Sequence, residues 1–377
     1  MQAVQEPIIP IIAQLIRDHP GTISLGQGVV SYGPPPDVYT AMAEFEQQPD
    51  RHLYQAVQGI PRLRAAIATK LRQENHLVLD ENQVIVTAGS NMGFMHAILA
   101  ITEPGDQILL QTPYYFNHEM AVRMAGCEPI LVPTTATYQL DLEAIAAAIT
   151  PRTRAIVTIS PNNPTGAVYP AVDLQAVNQL CGDRALYHIS DEAYEYFTYG
   201  ASVHCSPAQF DPGSCHTLSL FSLSKAYGFA SWRMGYLVIP QPLQGAIQKI
   251  QDTILICPPV ICQYAALGAL RAGKAYCAPQ VHRLAQVRQT VLARLETLGD
   301  RITLPPTTGA FYVFLQLQQA MDPLALATRL IEEHRVAVIP GNAFGVDHPC
   351  GVRVAYGALD NQTVTAGIER LVKGLSY

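Results

Sequence analysis

Between residues 83 and 240 short apolar runs alternate with stretches patterned for helix, and this rhythm admits few architectures. The expected strands are Val84 to Thr87, Gln107 to Gln111, Pro129 to Val132, Ala155 to Ile159, Leu186 to Ser190, Thr217 to Phe221 and Arg233 to Ile239. Between them Gly93 to Ile101, Asn117 to Ala125, Leu142 to Ile149 and Val172 to Cys181 read as helices. Parallel strands need long crossovers, which helices supply, so the alternation predicts an α/β domain with covering helices. Ligands of such sheets collect at the carboxyl ends of strands, and the residues just after each strand are the ones to inspect.

From Pro242 to about Gly299 helix formers dominate, as expected of a helix leaving the first domain. A second unit follows, with strands expected at Ile302 to Leu304, Ala310 to Leu317, Val336 to Ile339 and Val352 to Tyr356 and helices at Pro323 to Glu333 and Asn361 to Gly374. Residues 1–45, where Pro34-Pro35-Pro36 forbids a regular element, are expected to pack on this unit. The boundaries drawn are a large domain at 46–285 and a smaller α+β domain of 1–45 with 286–377.

The 377 residues carry 24 basic and 30 acidic side chains, a net charge of -6, with no Lys/Arg-rich run to attract phosphate backbones or anionic membranes. No nucleic-acid or membrane partner is expected. Glu6, Pro7 and Pro10 precede any long apolar stretch, unlike a secretory signal. The eight cysteines are scattered, without a Cys-x-x-Cys pair, and His188-x-x-Asp191 is too sparse for a metal site. Reduced thiols in a cytoplasm are the expectation.

Ser222-Leu223-Ser224-Lys225, with Arg233 eight residues later, is the most informative stretch. A lysine between two apolar strands is costly to bury as an ammonium unless its pKa falls or it is modified, and a Schiff base meets that need. Asp191 ends another strand, where its carboxylate needs a cationic or hydrogen-bonding partner such as a protonated ring nitrogen; it could equally cap a turn. Ser160-Pro161-Asn162-Asn163-Pro164-Thr165-Gly166 follows a further strand and presents the Asn163 amide. Tyr194, three residues past Asp191, could join Asn163 on a phenolic oxygen. Thr87-Ala88-Gly89-Ser90-Asn91 closes a strand and opens a helix, the arrangement that holds a phosphate on free N–H groups, although Ser90 is also an ordinary helix cap. Ser222, Ser224 and Arg233 could complete the phosphate contacts. Gly26-Gln27-Gly28 is followed by prolines and no helix, so it is not a dinucleotide fingerprint.

Together these residues resemble the fold-type I pyridoxal 5'-phosphate (PLP) enzymes, and within them the class I/II aminotransferases, nearest to the kynurenine/aspartate aminotransferase-like branch. The resemblance spans nearly the whole chain. It rests on Leu25-Gly26-Gln27-Gly28, Tyr54 with Gly59-Ile60-Pro61-Arg62, Asn163-Pro164-Thr165-Gly166, Asp191-x-Ala193-Tyr194, Ser222-x-Ser224-Lys225 and Arg353, all in the family's order. It implies a large domain built on a mostly parallel seven-stranded sheet. Lys225 would carry PLP and shuttle the α-proton, Asp191 would hold the ring-nitrogen proton, and Asn163 and Tyr194 would bind the ring oxygen. Gly89, Ser90, Asn91, Ser222, Ser224 and Arg233 would surround the phosphate and Tyr115 would stack on the ring. Arg353 would grip the substrate carboxylate, with Gly28 and Asn163 beside it. Tyr54 would enter the neighbouring subunit's site, which implies a homodimer. Amino acids and 2-oxo acids are the implied substrates.

The sequence departs from the family at Val29-Val30-Ser31-Tyr32, and Ile254, Leu255 and Ile256 stand near where aspartate-specific relatives place a second arginine. The expected amino donor is therefore apolar or aromatic. Two other activities suit the same scaffold: a PLP-dependent carbon–sulfur β-lyase and a non-catalytic PLP-binding regulatory module.

Overall fold

The computed structural model describes residues 4–47 and 49–376. All seven strands expected in the first domain form, as β1 (Val84–Thr87), β2 (Gln107–Thr112), β3 (Glu128–Pro133), β4 (Thr153–Ile159), β5 (Tyr187–Asp191), β6 (Thr217–Ser222) and β7 (Gly235–Val238). They make one sheet in the order β1-β7-β6-β5-β4-β2-β3. Every neighbouring pair is parallel except the two that involve β7, which runs against both β1 and β6.

Alternate side chains of each strand enter different cores. Ile85, Ile108, Leu110, Val157, Ile189 and Leu220 share one cluster, while Val84, Val86, Leu109 and Ile156 belong to another. A sheet apolar on both faces must be covered on both, and the helices between the strands do this. Among them α1 (Pro61–Glu74), α2 (Ser90–Ile101) and α3 (Phe116–Met124) lead out of or into strand ends that matter below.

β7 brings two of those ends together. Its first residue, Gly235, pairs with Ser222 on one side and Thr87 on the other. A Cβ at Gly235 would lie 2.7 Å from the Phe221 carbonyl and 2.8 Å from the Ser90 nitrogen, so a larger residue would force the two loops apart.

The segment after Pro242 is not one helix. It forms Gln244–Ile254, breaks at Cys257-Pro258-Pro259, and resumes as the long helix α5 (Val260–Leu295); α4 denotes the short turn Leu223–Ala226. Proline at 258 and 259 removes donors and closes off the helix, and Gly273 inside α5 has non-helical angles (φ 55°, ψ -154°). The C-terminal unit holds a four-stranded antiparallel sheet that includes Tyr312–Leu317 and Gly351–Ala355. The strand expected at Val336 to Ile339 splits at Val338: Val336–Ala337 pairs in parallel with Ile23–Ser24, and Ile339–Pro340 joins the four-stranded sheet.

The N-terminal region divides its contacts. Helix Ile8–Asp18 and strand Ile23–Ser24 lie against the C-terminal unit, whereas helix Asp37–Glu46 packs along α5. Gly268 permits that last packing, since a Cβ there would sit 2.4 Å from the Asp37 carbonyl oxygen. Gly268→Ala should therefore destabilise the protein by about 1–3 kcal/mol through overpacking against backbone. The check is the denaturant midpoint, which should fall with the slope unchanged; an unaltered midpoint would mean that the helices separate without cost.

Candidate active site

The residues anticipated after β1, β4, β5 and β6 converge on one cavity. Ser90, Asn91, Tyr115, Asn163, Asp191, Tyr194, Ser222, Ser224, Lys225 and Arg233 all line it, with Ile159 and Ala193. Gly89 borders it at the start of α2. Gly28, Asn163, Lys225 and Arg353 line an adjoining cavity, together with Pro7, Ile9, Gln27, Val29, Phe116, Asn117 and Tyr312. Tyr54 lines neither; it is 81% exposed.

Lys225 sits on α4, directly after β6, and its amine donates to the Gly28 carbonyl at 2.5 Å. Burial lowers its pKa from 10.5 to about 8, and the nearby Arg353 and Arg233 push the same way against the pull of Asp191. Desolvation and like charge both disfavour the ammonium, so the amine is far nearer neutrality than an exposed lysine.

Asp191, 4% exposed, accepts from the Ala193 amide at 3.0 Å. His118 lies 3.1 Å away through Nε2, without the angles of a hydrogen bond. The imidazole stacks on Phe94 at 3.9 Å and meets Tyr115 edge-on. Sequence reasoning missed His118. Its spacing of three residues from Tyr115 on the first turn of α3 was the available signal.

Asn163 bridges two groups: its amide nitrogen donates to the Tyr194 hydroxyl at 3.4 Å, and its oxygen accepts from Arg353 Nη1 at 2.8 Å. Arg353 is 2% exposed; it donates through Nη2 to the Gly26 carbonyl at 2.7 Å and lies over the rings of Tyr312 and Phe344. Tyr312, also unanticipated, places its hydroxyl 2.7 Å from that of Tyr194. Burial raises the Tyr194 phenol well above its ordinary range, so both hydroxyls keep their protons.

At the other end the geometry suits an anion. Ser90 and Asn91 open α2 with free N–H groups, and Gly89 holds φ +84°. Arg233, itself at φ 53°, reaches back so that a Cβ on Gly89 would come within 2.4 Å of its Nη2. Ser222 caps α4 by accepting from the Ser224 amide at 3.1 Å. An amine, a buried carboxylate, a paired amide and phenol, an aromatic wall and an anion cradle fit the amine-binding, ring and phosphate parts of PLP. By contrast, His188 is a core residue bonded to Thr158 and Asn178.

The family model for aminotransferase class I and II matches residues 20–371. The chain belongs to the class I and II aminotransferases. It is 34% identical to the aromatic aminotransferase ISS1 of Arabidopsis thaliana, over 98% of this chain and 93% of that one. It is 36% identical to the aspartate/prephenate aminotransferase of Thermus thermophilus, over 84% of this chain and 82% of that one. The solved aspartate aminotransferase from Thermus thermophilus with maleate superposes with a TM-score of 0.91 at 31% identity, covering 99% and 98% of the two chains. This aminotransferase is therefore a fold-type I, PLP-dependent transaminase, and its relatives' names favour amino transfer over the lyase and regulatory alternatives.

Gly89→Ala tests the anion cradle. The added methyl group strains a left-handed residue and displaces the Arg233 guanidinium, while the fold is otherwise untouched. PLP affinity should weaken at least about 10-fold, the equivalent of one charge-assisted hydrogen bond. Equilibrium dialysis against PLP reads this directly, and unchanged affinity would remove Gly89 and Arg233 from the cradle.

Proposed function

We propose that this aminotransferase moves the amino group of an apolar or aromatic L-amino acid to a 2-oxo acid, with Lys225 as the residue that carries both cofactor and proton. The observation that carries this reading is the amine of Lys225, depressed to about 8 and sharing one cavity wall with Asp191. PLP, when bound, draws electrons from the substrate's α-carbon and exchanges its carbonyl oxygen for the amino group being moved. Arg353 binds the substrate carboxylate bidentately, guided by Asn163 and the Gly26 carbonyl. Asp191, with His118 against it, keeps a proton on the ring nitrogen. Asn163 and Tyr194 would hold the ring oxygen, Tyr115 would stack on the ring, and Ser90, Asn91, Ser222, Ser224 and Arg233, with Gly89 at the start of α2, would hold the phosphate. Lys225 would be the group that accepts and carries the proton of the α-carbon, chemistry that the bound cofactor would make possible.

The donor preference rests on the adjoining cavity. Pro7, Ile9, Val29, Phe116 and Tyr312 supply apolar and aromatic wall beside the neutral amides of Gln27 and Asn117, and its only charged lining residues among those described are Lys225 and Arg353, both already committed. A second carboxylate would find no unused cation there. Ile254 and Ile256 are 50% and 39% exposed, and with Leu53 and Tyr54 they supply apolar surface suited to a homodimer in which Tyr54 enters the partner's phosphate site. The domains would be 46–285 and 1–45 with 286–377. All eight cysteines are free, consistent with a cytoplasmic enzyme, and among the described residues no helix is long and apolar enough to cross a membrane.

The test is a half-reaction screen in which each amino acid is added alone and loss of the lysine-bound cofactor's absorbance is followed. Phenylalanine, tyrosine and leucine should react faster than aspartate; the reverse order would reject the proposed preference. A proton acceptor must be neutral, so the rate should rise with pH and be lost as pH falls through the Lys225 pKa. Substrate carboxylate on Arg353 offsets one of the cations that depress this pKa, so the midpoint should lie at or above about 8. A flat profile between pH 6 and 9 would remove Lys225 from the proton transfer.

A further inference from the structure

Of the stretch Val29-Val30-Ser31-Tyr32, where the sequence departs from its family, Val29 lines the substrate cavity and Tyr32 has no role assigned above, yet Tyr32 lies against the catalytic lysine. Lys225 is carried by a helical turn of four residues, Leu223–Ala226, too short to be stable by itself. Its terminal carbonyls need partners from elsewhere. Within the backbone the Lys225 carbonyl meets only the Tyr227 amide, shared with Leu223, and the Gly228 amide at 3.4 Å. The Tyr32 hydroxyl donates to that carbonyl at 3.0 Å and approaches the Ala226 carbonyl at 3.4 Å. Burial pushes the Tyr32 phenol well above its ordinary range, so it stays a donor across working pH.

The same strap holds the other end of the residue, because Gly28, four positions before Tyr32, accepts from the Lys225 amine. The strap is anchored on its far side to α5. Tyr276 donates to the Gly33 carbonyl, and Arg283 donates to Ser31 Oγ at 3.0 Å while its guanidinium lies over the Tyr32 ring. Gly228 lets the two backbones touch, since a Cβ there would sit 2.6 Å from the Tyr32 carbonyl oxygen. Backbone and amine of one lysine are thus tied to one short segment.

We propose that Tyr32 is a positioning residue for amino transfer: its phenol caps the turn that carries Lys225, fixing the arc on which the released amine travels between the Gly28 carbonyl and the substrate's α-carbon. The inference rests on Lys225 being the proton carrier.

The experiment uses the PLP-loaded enzyme with Tyr32→Phe, which keeps the ring and removes the donor. Single-turnover rates with L-phenylalanine and L-aspartate, each with and without α-deuterium, give rate and apparent affinity separately. The maximal rate should fall roughly 5- to 10-fold, the worth of one ordinary hydrogen bond. Half-saturation should stay within about twofold, and the slowed step should keep an α-deuterium isotope effect. Amide hydrogen exchange, which needs no turnover, should quicken in residues 223–229 and stay unchanged in 187–194. Tyr276→Phe loosens only the outer anchor and should leave the maximal rate within about twofold. An unchanged rate in Tyr32→Phe, a loss confined to half-saturation, disappearance of the isotope effect, or an equal loss in Tyr276→Phe would each overturn the proposal. If Tyr32→Phe does not fold, Tyr32→Trp, which retains an N–H donor, decides: near-native rate supports the cap, and a loss of 5-fold or more overturns it. A wild type inert toward both donors would overturn the lysine assignment itself, a result that differs from any change confined to the Tyr32 variants.

Discussion

A lysine amine shut away from water beside two arginines and one carboxylate is the constraint around which the rest of this molecule is arranged. Burial and the charges of Arg353 and Arg233 act together on Lys225, and Asp191 alone opposes them. Burial is the larger cause, and removing either arginine would raise the pKa part of the way back. In the proposed function the same arginines have second tasks, Arg353 beside Asn163 for a carboxylate and Arg233 beside Gly89 for a phosphate. Binding groups and pKa control are one set of charges.

Sheet topology explains how groups so far apart in sequence share a cavity. β4, β5 and β6 run parallel and end together, which sets Asn163, Asp191 and Lys225 along one edge. β7 runs the other way, so its beginning, and Arg233 just before it, lies where β1 and β6 finish. One reversed strand thus delivers a cation to the start of α2 without lengthening any loop. The C-terminal sheet adds Arg353 and Tyr312 from strands in direct register, Phe314 opposite Arg353 and Tyr312 opposite Ala355.

Much of this was legible in the chain itself, and the reason is local. Strands buried on both faces read as unbroken apolar runs, so Val84–Thr87 was found to the residue and the ends of the other six to within two. Polar residues stand out at the ends of such runs, which is how Asp191, Asn163, Ser90 and Lys225 came into view together. What escaped were contacts with no local trace. Tyr32 meets Lys225 across 193 residues of chain, and Tyr312 meets Tyr194 across 118. The split at Val338 also escaped, because two short strands in different sheets have the same apolar pattern as one long strand.

The chain has five lysines, Lys70, Lys225, Lys249, Lys274 and Lys373, and the account requires that one of them alone form the covalent bond to the cofactor. Reducing the PLP-loaded protein with borohydride, digesting it and weighing the peptides tests this most directly. The account predicts the pyridoxyl mass on the peptide containing Lys225 and on no other. The same mass on Lys70 or a surface lysine, or no adduct in a protein that still holds cofactor, would contradict it.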